Sequence, residues 1–181
     1  MKYDTEGNIM LLAAQCPTGI AVEGPILASD VKEIRSSHPP YNSTVNRLDY
    51  AAFCDVEPEN NSTSVSGYGT VSGSNTSITM EFVRELPVVA VMIQTLKAAT
   101  AGSWGIAYME GARVQALVGT TWETVFTYPS GLSWSGVLAP DGKAYSEKWP
   151  NKIPVGRVCS ALRLIKASGY TCASTFIPII G

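Results

Sequence analysis

Residues 111–128 read GARVQALVGTTWETVFTY, and the alternation in this stretch marks it as β structure around which the rest of the chain is organised. Arg113, Gln115 and Leu117 alternate with Val114, Ala116 and Val118. A period of two places the two sets on opposite faces of a strand, whereas a helix repeats its apolar residues three and four apart. Gly119-Thr120-Thr121 then interrupts the pattern, and Trp122, Thr124, Phe126 and Tyr128 resume it. Two alternating runs joined by a small polar turn predict a β-hairpin with a wide turn.

Further strands are expected on either side. Ser77–Phe82 (SITMEF) sets Ile78, Met80 and Phe82 against Thr79, Glu81 and Val83, a half-buried pattern. Leu86-Pro87 turns the chain into Val88–Leu96 (VVAVMIQTL), which is apolar on both faces and is expected to be a central strand. Leu48–Val56 (LDYAAFCDV) reads as a first buried strand, and Trp104–Met109 (WGIAYM) as a strand that pairs with the hairpin. Cys159–Lys166 and Tyr170–Ile180 read as two strands about Ser168-Gly169. Between Pro129 and Pro154, Pro140-Asp141-Gly142 predicts a small projecting ribbon, because proline presets φ and glycine supplies the positive φ that closes a turn.

A strand, a small polar turn, a tryptophan and a second β-branched strand resemble the hairpin of discoidin-type domains. ALRLIKASGY, residues 161–170, resembles the last hairpin of the same galactose-binding-like domains, which include many carbohydrate-binding modules. The resemblance runs from Leu48 to Ile180. It implies an all-β protein, an antiparallel β-sandwich of the jelly-roll, discoidin/galactose-binding-like kind over residues 46–181, with an extended N-terminal arm at 1–45. It also implies that Trp122 lies in the core and that Arg163 faces the ladder without a ligand. In such domains the segment after the first strand helps to hold a structural calcium ion, for which Asp55 and Glu57 are the candidate oxygens here. The family's Asp-Gly pair and closing glutamate are missing from this chain.

The first 45 residues are polar, then apolar at Ile9–Ala14, then broken by Pro17, Gly19, Gly24 and Pro25. Ser29 or Asp30 is a suitable cap for a single helical turn, which His38-Pro39-Pro40 would end. Of the 181 residues 45% are hydrophobic and 15% charged, enough to bury one core but with few charges to cover it. A formal charge of -2, with 13 basic residues spread thinly, argues against nucleic acid, which needs a concentrated basic surface. No apolar run reaches the roughly 20 residues that span a bilayer. MKYDTEGN carries two acids where a signal peptide needs positive charge, so export by that route is not expected. Cys16, Cys54, Cys159 and Cys172 lack a C-x-x-C pair and are expected to be free thiols.

Catalysis finds little support. His38 is the single histidine and precedes two prolines, and no nucleophile elbow, zinc motif or phosphate loop occurs. The chain is therefore expected not to be an enzyme and to need no cofactor. Binding is better served, because sugars stack their C–H faces on flat rings while polar side chains take the hydroxyls. Trp134, Tyr145 and Trp149, with Asp141 and Asn151, supply such a set within the loop 129–154. Two functions follow as expectations. The first is an assembly protein of a bacteriophage virion, a tail, baseplate or capsid accessory component that contacts other subunits through its arm. A virion protein leaves its host by lysis and needs no signal peptide. The second is a carbohydrate-binding attachment module, on a virion or secreted, whose partner is a surface glycan.

Overall fold

The computed structural model describes residues 23–41, 48–53, 68–94, 109–130, 152–173 and 175–181. They form nine strands: β1 (Gly24–Pro25), β2 (Val31–Ser36), β3 (Tyr68–Gly69), β4 (Gly73–Gln94), β5 (Arg113–Val118), β6 (Thr121–Thr127), β7 (Lys152–Gly169), β8 (Cys172–Ala173) and β9 (Thr175–Ile180). All their pairings are antiparallel. The main sheet runs β1-β9-β4-β7-β5-β6, with β2 also on β4, while β3 and β8 make a small separate ribbon. Among the described residues, helix is confined to one turn, α1 (Tyr50–Phe53), and a 3-10 turn at Ala28–Asp30.

This sheet is not flat, and the register shows why. Gly73 at the start of β4 pairs with Gly169, and Gln94 at its end pairs with Thr175. Laid straight, the 22 residues of β4 would span about 70 Å. The chain from Gly169 to Thr175 can reach at most about 21 Å. The strand must therefore fold back on itself, and β7 with it. The bend falls where the β4–β7 register shifts between Glu81 and Leu86, opposite Ser160, and a second shift between Val88 and Ala90 lies opposite Gly156, whose φ of 58° favours glycine. One half of the ribbon joins β2, β5 and β6; the other joins β1 and β9. The two layers close on a shared core that holds Ile78, Met80, Leu162 and Leu164 from one half, and Val91, Ile93, Ile153 and Phe176 from the other. The fold is the expected antiparallel β-sandwich.

The expected hairpin is β5-β6, turned at Gly119 with φ of 57°. Ser77–Phe82 and Val88–Gln94 are strands too, but as two arms of one bent strand. Other expectations are corrected. Leu48–Val56 was expected to be a strand; its residues 50–53 are a helical turn, closed by Phe53 N–H donating to the Asp49 carbonyl, with the Phe53 ring fully buried. A short apolar run carries no period long enough to separate the two conformations. Cys159–Lys166 and Tyr170–Ile180 do not pair as a hairpin, because β4 lies between β7 and β9. The boundary expected at residue 46 does not hold for residues 24–36, which contribute β1 and β2 to the same sheet, with Ile26 fully buried in the common core.

Trp122 is on the wrong face for the interior position expected of it. Val125 is unpaired, since Gln115 faces Thr124 while Val114 faces Phe126. This bulge reverses the parity of β6. Phe126 packs on the core side with Val114, whereas Trp122, opposite Leu117, lies on the outer face, half-buried under Arg163.

Candidate functional site

Folding β4 and β7 back on themselves gathers strand ends. Gly73, Gln94, Arg113, Thr127, Lys152, Gly169 and Thr175 all lie at one end of the sandwich. The opposite, closed end holds the β4–β7 bend and the Gly119 turn. The connections between these strand ends therefore start and finish at the open end. The aromatic-rich segment 131–151 is one of them, leaving after Ser130 and returning at Lys152.

The described rim of this end is rigid from below. Thr171 Oγ1 donates to the Thr76 carbonyl at 2.9 Å and takes the Thr76 hydroxyl at 2.8 Å, while the Thr171 N–H donates to Thr70 Oγ1 at 3.0 Å. All three threonines are fully buried. Such a network is costly to leave half satisfied and fixes the turn that follows β7. Upon it sits Tyr170, whose ring meets Tyr41 edge-on with centroids 6.0 Å apart. Tyr41 is 55% exposed, and it is held in place by its N–H, which donates to the Gly69 carbonyl at 2.7 Å. The neighbouring His38 is a packed residue more than a solvated one. Its Nδ1 is 2.8 Å from Ser37 Oγ, and its ring fills the space over Gly73.

On the hairpin side of the same end, Tyr128 N–H donates to the Ala112 carbonyl, and its ring meets Phe126 edge-on at 5.0 Å. Burial raises the Tyr128 phenol pKa well above the ordinary value of 10.0, so this hydroxyl stays neutral and is no proton carrier at neutral pH. Burial likewise pushes the Cys159 thiol up to about 11. Cys159 is a free, buried thiol, as expected of it, Cys172 is buried as well, and Cys16 and Cys54 lie outside the described residues.

Of the predicted site residues, Trp134, Asp141, Tyr145, Trp149 and Asn151 lie outside the described residues, as do the calcium candidates Asp55 and Glu57 and the Pro140-Asp141-Gly142 ribbon. The described residues hold no group of three or more His, Cys, Asp or Glu placed to bind a metal. Tyr41 and Tyr170 were missed by sequence reasoning. Each is a single aromatic in a polar stretch, and 129 residues separate them, so no local pattern links them.

No known family profile matches the sequence, and no curated protein matches it. The fold does have solved relatives. The paired CBM32-1 and CBM32-2 domains of ZmpB from Clostridium perfringens match with a TM-score of 0.54 at 12% identity, over 87% of this chain and 37% of that one. The family 32 carbohydrate-binding module of C. perfringens NanJ, solved with galactose, matches at 0.51 and 11% identity over 87% of this chain and 99% of the other. A fucolectin from striped bass (Morone saxatilis) serum matches at 0.53 and 13% identity, over 84% and 47%. The chain thus spans little more than a third of the first of these structures and nearly the whole of the single NanJ module. This chain has the antiparallel β-sandwich fold of the discoidin-like, family 32 carbohydrate-binding modules.

Proposed function

We propose that the protein is a non-catalytic carbohydrate-binding module whose site is the open end of the sandwich. The observation that carries this reading is topological. The back-folded β4–β7 ribbon brings both ends of the aromatic-rich segment 131–151 to the end where Tyr41 presents its ring. Flat rings and hydroxyl-binding side chains on a rigid scaffold are what a sugar requires. Solved relatives of the fold, among them modules bound to galactose or GalNAc, support the same reading. The ligand class is a neutral glycan of a host or substrate surface. The test is a glycan array with the full chain. Binding should disappear in Trp134→Ala, Trp149→Ala and Tyr41→Ala variants that keep their far-ultraviolet circular dichroism. Absence of binding at millimolar sugar would remove the proposal.

An assembly role, in a virion or another oligomer, is the second reading, and a specific feature favours it. Val83 and Val158 flank the bend at the closed end and are 54% and 56% exposed, and Leu27 on the link from β1 to β2 is 62% exposed. Glu23, the first described residue, reaches the same end beside Ile180. Sedimentation of the full chain separates the readings. A concentration-dependent oligomer that dissociates in Val83→Asp/Val158→Asp supports assembly, and a monomer at all concentrations removes it.

A further inference from the structure

The outer face of the layer built from β2, β4, β7, β5 and β6 carries a row of polar side chains at right angles to the strands. Arg35 pairs with Thr79, Thr79 with Arg163, Arg163 with Gln115 and Gln115 with Thr124. At about 4.8 Å per strand this row crosses about 19 Å of sheet. Arg163 stands at its centre and is fixed from two sides. Its guanidinium sits over the Trp122 ring with Cζ 4.0 Å from the centroid, and its Nε donates to Gln115 Oε1 at 2.7 Å. The other end of the Gln115 amide donates to Thr124 Oγ1 at 2.8 Å. Gln115 is thereby used up in orienting Arg163, and the two Nη groups of the fork remain. Arg113 lies diagonally from Arg163, two residues along the neighbouring strand, so about 7–8 Å away.

No carboxylate meets either arginine among the described residues. Of the acids that this face carries among the described residues, Glu81 is taken by Arg35 at 2.7 Å and by Lys32 at 3.5 Å, and Glu33 stands opposite Glu81 on the outer strand β2. Burial, and then the like charges of Arg113 and Arg35, make the charged form of Arg163 harder to hold. An unneutralised guanidinium held still by an aromatic ring and an amide is a half-built clamp for a planar anion. The outward groups on the β5–β6 side of it are mainly donors, the Nη groups of Arg163 and the guanidinium of Arg113 beside the Thr124 hydroxyl, which accepts from Gln115 and keeps its proton to donate, while the carboxylates of Glu81 and Glu33 lie on the β2 side.

We propose that this outer face is a second binding surface, centred on Arg163 in the middle of the sheet and reaching the open end only at Arg113, that takes a uronate-bearing glycan, with Arg163 and Arg113 each gripping a sugar carboxylate. A donor-rich surface selects a ligand rich in acceptors, and a uronate chain brings carboxylates, ring oxygens and hydroxyls together. An acidic peptide is served less well. Its amide N–H groups would find few acceptors beside Arg163 and Arg113, and extended peptides commonly dock by pairing on sheet edges. The proposal rests on the carbohydrate reading for the kind of chain that carries the carboxylate, but not on the aromatic residues of the open end.

The test is calorimetric titration of the full chain with oligogalacturonate, with the neutral oligosaccharide of the same length and with polyglutamate, at low and at 0.5 M salt. Oligogalacturonate should bind and should weaken with salt. Arg163→Ala and Arg113→Gln should each lower its affinity about tenfold or more. Arg163→Lys, which keeps the charge and disturbs the fold least, should fall short as well because the fork is lost. Trp134→Ala/Trp149→Ala should leave this binding intact while abolishing that of neutral sugar at the open end. Failure of the neutral sugar alone counts against the open-end site and not against this surface. No binding of oligogalacturonate, unchanged binding in Arg113→Gln/Arg163→Lys, or equal binding of polyglutamate lost in the same variants would each overturn the proposal.

Discussion

Arg163 and Trp122 face each other across the outside of the sheet, not within the core, with the guanidinium carbon 4.0 Å from the ring centroid. The pair spans two strands that are not neighbours, since β5 lies between β7 and β6. It therefore ties the edge strand β6 to the centre of the layer. A double-mutant cycle with Trp122→Leu and Arg163→Met, followed by urea denaturation, should give a coupling of about 0.5–1 kcal/mol. A coupling indistinguishable from zero would mean that the stack contributes nothing to folding.

Gly73 begins β4 beneath the His38 ring, and a methyl group there would fall on the imidazole Nε2 and lie 2.7 Å from Cδ2. Gly73→Ala should cost about 1–3 kcal/mol in overpacking. In a His38→Ala background the same substitution should be close to neutral, because the space is then open. Equal penalties in both backgrounds would show that the glycine serves another purpose.

Thr76 and Thr171 form a buried hydroxyl pair at the open end. Thr171→Val keeps the shape but leaves the Thr76 hydroxyl and carbonyl short of a partner, and should cost about 1–3 kcal/mol. The double variant Thr76→Val/Thr171→Val should recover part of this loss, measured by thermal melting. A double variant that is less stable than Thr171→Val would contradict the assignment.

Burial lifts the Cys159 thiol from 9.0 to about 11, so the folded state holds that proton more tightly than the unfolded chain does. Its contribution to stability is complete below pH 9 and is lost as pH rises from about 9 through 11. Denaturation midpoints measured across that window should fall, and fall less steeply in Cys159→Ala. The native thiol should also resist thiol-specific reagents at pH 8 and react only on unfolding. Rapid modification of Cys159 in the folded protein would exclude this environment.

Glu81 shows the opposite sign on the acid side. The hydrogen bond from Arg35, and beyond it the charges of Arg35 and Lys32, lower its pKa below the ordinary 4.5 despite an opposing burial effect. Its contribution is present above pH 4.5 and is lost as pH falls through the lowered value. Glu81→Gln should flatten the acid limb of the stability curve while barely changing stability-against-pH slopes near neutrality. An unchanged acid limb would show that the pair is too exposed to matter.

The sequence by itself determined the hairpin at 113–127 and the strands at 77–82 and 88–94, because alternation and turn residues are local quantities, while the sandwich class followed from the resemblance of its hairpins to those of discoidin-type domains. Even Gly119 was readable as a turn, since a small polar interruption between alternating runs needs a residue that tolerates positive φ. The tertiary structure alone decided which face was which. A single unpaired residue, Val125, reverses the parity of β6 and moves Trp122 outside, and the alternation of side chains carries no mark of such a bulge. The same holds for the fold-back of β4 and β7 and for the recruitment of β1 and β2, which depend on pairings up to about a hundred and fifty residues apart in sequence. Tyr41 and Tyr170, and Arg163 with Arg113, became neighbours only through those pairings, because contact between distant residues is a property of register and not of composition.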